Sequence, residues 1–256
     1  LTDVEDTPSY ASLADWLRST VERSRADVLS ELKRVPSLEG PECSLADLRD
    51  PDLQPVLVKP IDEQEVWACG VTYRRSRQAR MRESDEPTLY DRVYDAQRPH
   101  VFFKGSAHRT VSSGESVGIR EDSTWNVPGA ELAVLLSPAG EIWGYAVGND
   151  MSSRDIEGEN PLYLNQAKAY DRSCALAAMI RVADDYDAMN KLVRCTIARE
   201  EEVVFEGRAR TSEIKRPLEE LASYLFRCNA FPGGVFMLTG TGIVPPDSFT
   251  LADGDS

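Results

Sequence analysis

The chain has 256 residues, 41% hydrophobic and 28% charged, a balance that buries a core and excludes a disordered chain. Its formal net charge of -14 repels phosphate backbones and anionic lipid, so neither nucleic acid nor a membrane surface is expected as a partner. No apolar run approaches the roughly 20 residues that cross a bilayer.

The opening LTDVEDTPSY lacks the basic-then-apolar pattern of a signal peptide. Residues 9–34 read as one helix, with Leu13, Trp16, Leu17, Val21, Val28, Leu29 and Leu32 near a 3.6-residue period and Pro36 just beyond. Residues 37–62 hold Pro41, Pro51, Pro55 and Pro60 and read as a connector. The expected division is an N-terminal helical region and connector, 1–62, followed by a catalytic domain, 63–256.

From residue 65 the pattern shortens. EVWACGVTY reads as a buried strand entering a turn, and HVFFKG, ELAVLL and IWGYAVGN read as strands. LVRCTIAREEEVVFEG reads as a hairpin. Residues 217–228 read as a helix, with Pro217 in its first turn and Leu218, Leu221 and Leu225 on one face. The tail from Val235 reads as glycine- and proline-rich loop. Many short strands, few helices and no βαβ alternation give an α+β fold.

Five cysteines (Cys43, Cys69, Cys174, Cys195, Cys228) without a CxxC pair suggest reduced thiols and a cytoplasmic setting. With only His100 and His108 as imidazoles, chemistry must rest mainly on carboxylates, lysine, backbone groups and a hard metal. Glu131 opens ELAVLL and Asp150 ends IWGYAVGND; the intervening turn SPAG would bring both to one end of a sheet. Such carboxylates suit Mg2+, Mn2+ or Ca2+. Among 43 acidic residues, however, most pairs are solvated surface.

Lys168 (NQAKAYD) and Lys104 (VFFKG) are either snorkelling edge residues or anchors for an anionic substrate. Arg74, Arg75, Arg77, Arg80 and Arg82 form either a solvated face or a clamp for a carboxylate. In TGTGIVPP, Gly240 and Thr241 let backbone N–H groups approach an anion, without the spacing of a P-loop.

In chain order, EVWACGVTYRRSRQARM (65–81), RPHVFFKGSAHR (98–109), DSTWNVPGAELAVLL (122–136), GEIWGYAVGNDMSSRDIEGENPLYLNQAKAYDRSCAL (140–176), RARTSEIKRPLEELASYL (208–225) and TGTGIVPPDSFTL (239–251) resemble the fumarylacetoacetate hydrolase superfamily. NPLYLNQAKAYDRSCAL and GVTYRRSR are most similar to its 2-keto-3-deoxy sugar-acid (arabinonate and xylonate) dehydratase branch. The resemblance implies a mixed β-roll of the family's C-terminal type, a homodimer, and Mg2+ or a similar ion held by a Glu-x-Glu pair and an Asp. Carried onto this chain, Glu131 and Asp150 hold metal and Lys168 and Lys104 are catalytic. Tyr73, Arg75, Arg77, Gly240 and Thr241 then bind a small 2-keto acid.

Two departures stand out. Family hydrolases carry G-x-x-Y-x-x-H-x-x-E, whose His-Glu pair activates water. Here Ser76 and Ala79 occupy those slots, which disfavours hydrolysis and agrees with the dehydratase branch. The first Glu of Glu-x-Glu is Gly129, which removes one metal carboxylate; Glu121, Asp122, Glu157 and Glu159 are nearby oxygen sources. The first expectation is thus a hydro-lyase acting on a 2-keto-3-deoxy sugar acid. The alternatives are a diverged member, with or without metal, doing decarboxylation, isomerisation or a biosynthetic tailoring step on a β-dicarbonyl or enol substrate, and a non-catalytic binding protein.

Overall fold

The structure is a computed structural model, described over residues 10–34, 58–184 and 187–256. Its elements in chain order are α1 (Leu13–Ser19), α2 (Arg25–Arg34), β1 (Glu65–Gly70), α3 (Arg74–Glu83), α4 (Pro87–Asp95), β2 (His100–Ser106), β3 (Thr110–Val111), β4 (Asn126–Val127), β5 (Ala130–Leu136), β6 (Ile142–Asp150), β7 (Ser152–Ser153), α5 (Arg154–Glu159), α6 (Leu164–Lys168), β8 (Cys174–Leu176), β9 (Arg181–Val182), β10 (Leu192–Arg199), β11 (Glu202–Arg210), α7 (Leu218–Leu225) and β12 (Val235–Leu238). One mixed sheet runs β2-β1-β12-β5-β6-β8-β3, with β9 also paired to β6. The β1–β12 and β3–β8 pairs are parallel and the rest antiparallel. The α+β reading and the mixed sheet hold.

The sheet is buried on both faces, and residue parity decides which core each side chain enters. Leu132, Val134 and Leu136 of β5, with Val235 and Met237 of β12, join Leu218, Leu221 and Leu225 of α7. Ala133, Leu135, Phe236 and Leu238 instead join Leu17 of α1, Val66, Phe102 and Leu176. Each large side chain buried this way contributes about 1.5–3 kcal/mol. The N-terminal helices meet the sheet through Trp16, edge-on to Trp143 at 5.9 Å, and through Arg25, which donates to the Ile142 carbonyl at 2.6 Å.

Three expectations change. The helix read over 9–34 is two helices. Thr20 turns its hydroxyl onto the Leu17 carbonyl (2.7 Å) and ends α1, while the Ser24 hydroxyl accepts from the Asp27 N–H (3.2 Å) and starts α2. The helix read over 217–228 stops at Leu225, and Cys228 has φ +57, outside any helix. The tail read as loop contains β12, the strand between β1 and β5. Residues 37–57 of the expected connector lie outside the described residues. The 192–210 hairpin forms as read. Among the described residues no helix is long and apolar enough to cross a membrane.

Candidate active site

Antiparallel β5 and β6 set Glu131 opposite Gly148, so Glu131 and Asp150, two residues beyond Gly148, leave the same face of the sheet. Both line one cavity, with Lys168, Gly240 and Thr241. Lys168, at the end of α6, donates to Asp150 Oδ2 (2.7 Å) and Ser152 Oγ (2.5 Å). Lys104 lies behind Asp150 rather than in the cavity lining. Its Nζ is 2.8 Å from Asp150 Oδ1 and donates to the carbonyls of Met151 (2.7 Å) and Lys168.

Burial would push the Asp150 carboxyl up, but Lys104 and Lys168 outweigh it and hold the group below its ordinary range. Burial pulls the Lys168 ammonium down, and Asp150 and Glu157 more than offset that. Glu131 has weaker support. Burial and the neighbouring Asp150 charge hold its carboxyl well above the usual range, although the Gly240 N–H donates to Oε2 at 2.6 Å.

Gly240 makes that contact at φ +89, and a Cβ there would stand 2.0 Å from Thr72 Oγ1. Only glycine fits both the angle and the space. At Gly129 a Cβ would stand 2.8 Å from the Asp150 carbonyl oxygen. The Asp150 N–H donates to the Gly129 carbonyl at 2.9 Å, and a side chain at 129 would also meet Asp150 Cβ at 3.3 Å and Glu131 Oε1 at 3.5 Å, so position 129 faces the carboxylates where the resemblance implies a third. Val71 also lines the cavity, with φ +56, a strained angle for a β-branched residue.

Other side chains of the wall were not among the expected site residues: His100, Phe102, Ser152 and Arg154 line the cavity, together with Arg80 of the arginine cluster and Glu157. Glu157 Oε2 takes Arg154 Nη1 at 2.6 Å and Arg80 Nη1 at 3.2 Å, and Arg80 also pairs with Glu83. Glu157 is therefore held by arginines rather than free to replace the missing ligand; Glu121, Asp122 and Glu159 are exposed. The signal for Arg80 was helical: Ser76, Ala79 and Arg80, at i, i+3 and i+4, form the buried face of α3.

Three expected binding residues lie elsewhere. Arg77 pairs with Asp91 and Asp95 and lies over the Tyr94 ring, because its position on α3 turns toward α4. Arg75 is exposed and reaches the Val244 carbonyl at 3.4 Å. Tyr73 is buried in the core beside Leu132, Val134 and Ile243. None of the three lines the cavity. Ser76 does, but its hydroxyl donates to the Tyr73 carbonyl at 2.8 Å, closing the first turn of α3.

Among the described residues, no cluster of three or more His, Cys, Asp or Glu side chains stands ready for a metal. The cavity does hold two hard oxygen donors, Glu131 and Asp150, and Mg2+ is bound elsewhere through one or two carboxylates with water and substrate filling its remaining positions. The donor set fits such an ion.

A family model described as fumarylacetoacetate (FAA) hydrolase C-terminal matches residues 65–256. A Haloferax volcanii protein named "Probable 2-keto-3-deoxyxylonate dehydratase" is 49% identical over 197 residues, 77% of this chain and 68% of that protein. The 2-dehydro-3-deoxy-D-arabinonate dehydratase of Saccharolobus solfataricus is 42% identical over 204 residues, 78% of this chain and 68% of that protein. A solved structure of 2-keto-3-deoxy-D-arabinonate dehydratase complexed with magnesium and 2,5-dioxopentanoate superposes with a TM-score of 0.77 at 35% identity, covering 91% of this chain and 83% of that one. With its sheet, its carboxylate-lysine cavity and these matches, the chain belongs to the fumarylacetoacetate hydrolase C-terminal family.

Proposed function

We propose that this chain is a hydro-lyase that dehydrates a 2-keto-3-deoxy sugar acid of the arabinonate or xylonate kind. The observation that carries this is the Lys168–Asp150 pair in one cavity with Glu131, where Ser76 and Ala79 replace the water-activating dyad of the hydrolases. The relatives named as dehydratases support it.

The reaction breaks a C–H bond at C3, beside the ketone, and the C–O bond at C4; a C3=C4 double bond forms and water leaves. For a five-carbon acid, moving a proton from C5 to C3 then gives a C4=C5 enol, which ketonises to the C5 aldehyde. A divalent ion held by Glu131 and Asp150 would supply Lewis acidity to the 2-keto acid end. The Lys168 ammonium faces the negative charge that grows on the substrate as the C3 proton leaves, and Ser152 and Asp150 fix its direction. The Gly240–Thr241 backbone lines the keto-acid end. Arg80 and Arg154, oriented by Glu157, offer donors to the substrate hydroxyls. We further propose a cytoplasmic setting, in keeping with the unpaired cysteines, and a homodimer, as the resemblance implies.

Gly129 favours a second reading, a diverged member that works with weak metal binding or none. Calorimetric titration separates the two. The hydro-lyase is expected to bind Mg2+ weakly alone and at least tenfold more tightly with oxalate, a 2-keto acid mimic. Asp150→Asn is expected to abolish the gain. Oxalate binding unaffected by Mg2+ favours the second reading, and no oxalate binding under any condition counts against both.

A further inference from the structure

His100 opens β2 opposite Gly70 of β1, and its ring lines the cavity. The ring lies against the bare face of that glycine: Nδ1 is 2.4 Å from where a Cβ on residue 70 would stand. Any side chain at 70 would displace the imidazole, so β1 supplies its seat. The ring also leans on Phe102, with centroids 5.0 Å apart, and Lys168 Nζ lies 5.6 Å from the same Phe102 ring. One aromatic side chain thus lies against both the imidazole and the ammonium.

The carboxylates and the lysine of the cavity are engaged. Asp150 faces two lysines, Glu157 two arginines, and Glu131 receives the Gly240 N–H. The Lys168 ammonium is committed to Asp150 and Ser152. By contrast, neither ring nitrogen of His100 is hydrogen-bonded to another described residue. The charged groups around it are Glu157 on α5, Lys168 on α6 and Asp150 on β6, with Arg80 of α3 and Arg154 of α5 also on the wall.

We propose that His100 is the proton-transfer group of the site, taking the C3 proton of the bound 2-keto acid and returning it to the departing hydroxyl. This rests on the hydro-lyase reading. The C3–H electron pair becomes the C2=C3 bond of the enolate as the imidazole gains the proton. That pair then forms C3=C4 while the C4–O bond breaks, and the imidazolium proton completes the water that leaves. No oxidant or reductant is required. Burial, aided by Lys168, pulls the imidazole below its ordinary value near 6.5 against the opposite pull of Glu157 and Asp150. It is therefore neutral and able to accept a proton at pH 7.

The test compares wild type with His100→Asn and His100→Gln in two assays: dehydration across pH, and exchange of the C3 protons of 2-oxobutanoate with D2O by NMR. The wild-type rate is expected to fall as pH drops through the imidazole pKa. In both variants kcat is expected to fall about 10²–10⁴-fold, the usual contribution of a positioned acid-base group. The acid limb should flatten while oxalate affinity stays within threefold, and added imidazole should restore part of the activity of His100→Ala. Variants within threefold of wild-type kcat, or with the acid limb intact, overturn the assignment. If wild type dehydrates no sugar acid, the hydro-lyase reading fails and exchange decides alone. Exchange lost in the variants upholds His100 as the proton acceptor; exchange equal in all forms, or absent from wild type, overturns it.

Discussion

Asp150→Ala is expected to lower folding stability by about 3–5 kcal/mol, the usual cost of removing one partner from a buried ion pair. For a chain of this size that shifts the thermal midpoint by roughly 10 °C. Lys104 has no exposed surface and would keep only the Met151 and Lys168 carbonyls as acceptors. Lys168, nearly as buried, would keep only Ser152. Two buried ammonium groups would then lose the carboxylate that pairs with both, with only the more distant Glu157 and Glu131 charges near them. Adding Lys104→Met to Asp150→Ala should recover part of the loss, because the uncompensated charge leaves with the lysine. A single variant whose thermal midpoint stays within 2 °C of wild type would show that the lysines find other partners or shed their protons. The effect has a pH signature. Because Asp150 is held below the ordinary carboxylate pKa of about 4, its contribution is fully present above that value and lost as pH falls through the lower folded value. The gap between wild type and variant should narrow in strong acid.

Lys168→Met is expected to reduce kcat/KM for a 2-keto-3-deoxy sugar acid by about 10²–10⁴-fold, the range for losing a charged group that faces developing negative charge. Folding should suffer less than in Asp150→Ala, since Asp150 keeps its ion pair with Lys104. That split between activity and stability distinguishes a working ammonium from a structural one. A variant that keeps activity within tenfold but unfolds at lower temperature would make Lys168 a structural counter-ion of Asp150 and nothing more.

The juxtaposition of Glu131 and Asp150 was legible because two alternating strands joined by a short turn leave little freedom in register. The sheet centre was not. In β12, Val235 to Leu238 are apolar at every position because both faces are covered, so the four residues show no period and merge into the glycine-rich turn that follows. The arginine cluster read as either a solvated face or a clamp, and helical geometry divides it between the two. On α3, Arg77 turns to Asp91 while Arg80, three residues on, enters the cavity. His100 gave only the signal of rarity, and its seat is made by Gly70, thirty positions earlier in the chain. Arg154 carried no local pattern, since its role depends on α5 packing beside α3. Family resemblance named Glu131, Asp150 and Lys168. Their ion pairs join strands and helices far apart in the chain, which no local pattern reveals.

The most direct measurement is proton NMR of the purified protein incubated with 2-keto-3-deoxy-D-arabinonate, which is the same compound as the D-xylonate derivative because C4 is the one stereocentre left, with and without Mg2+, beside an acylpyruvate as control. The expected result is loss of the C3 methylene signals of the sugar acid and appearance of an aldehyde product, with the acylpyruvate left intact because Ser76 and Ala79 supply no base for water. Cleavage of the acylpyruvate with the sugar acid untouched would contradict the dehydratase account.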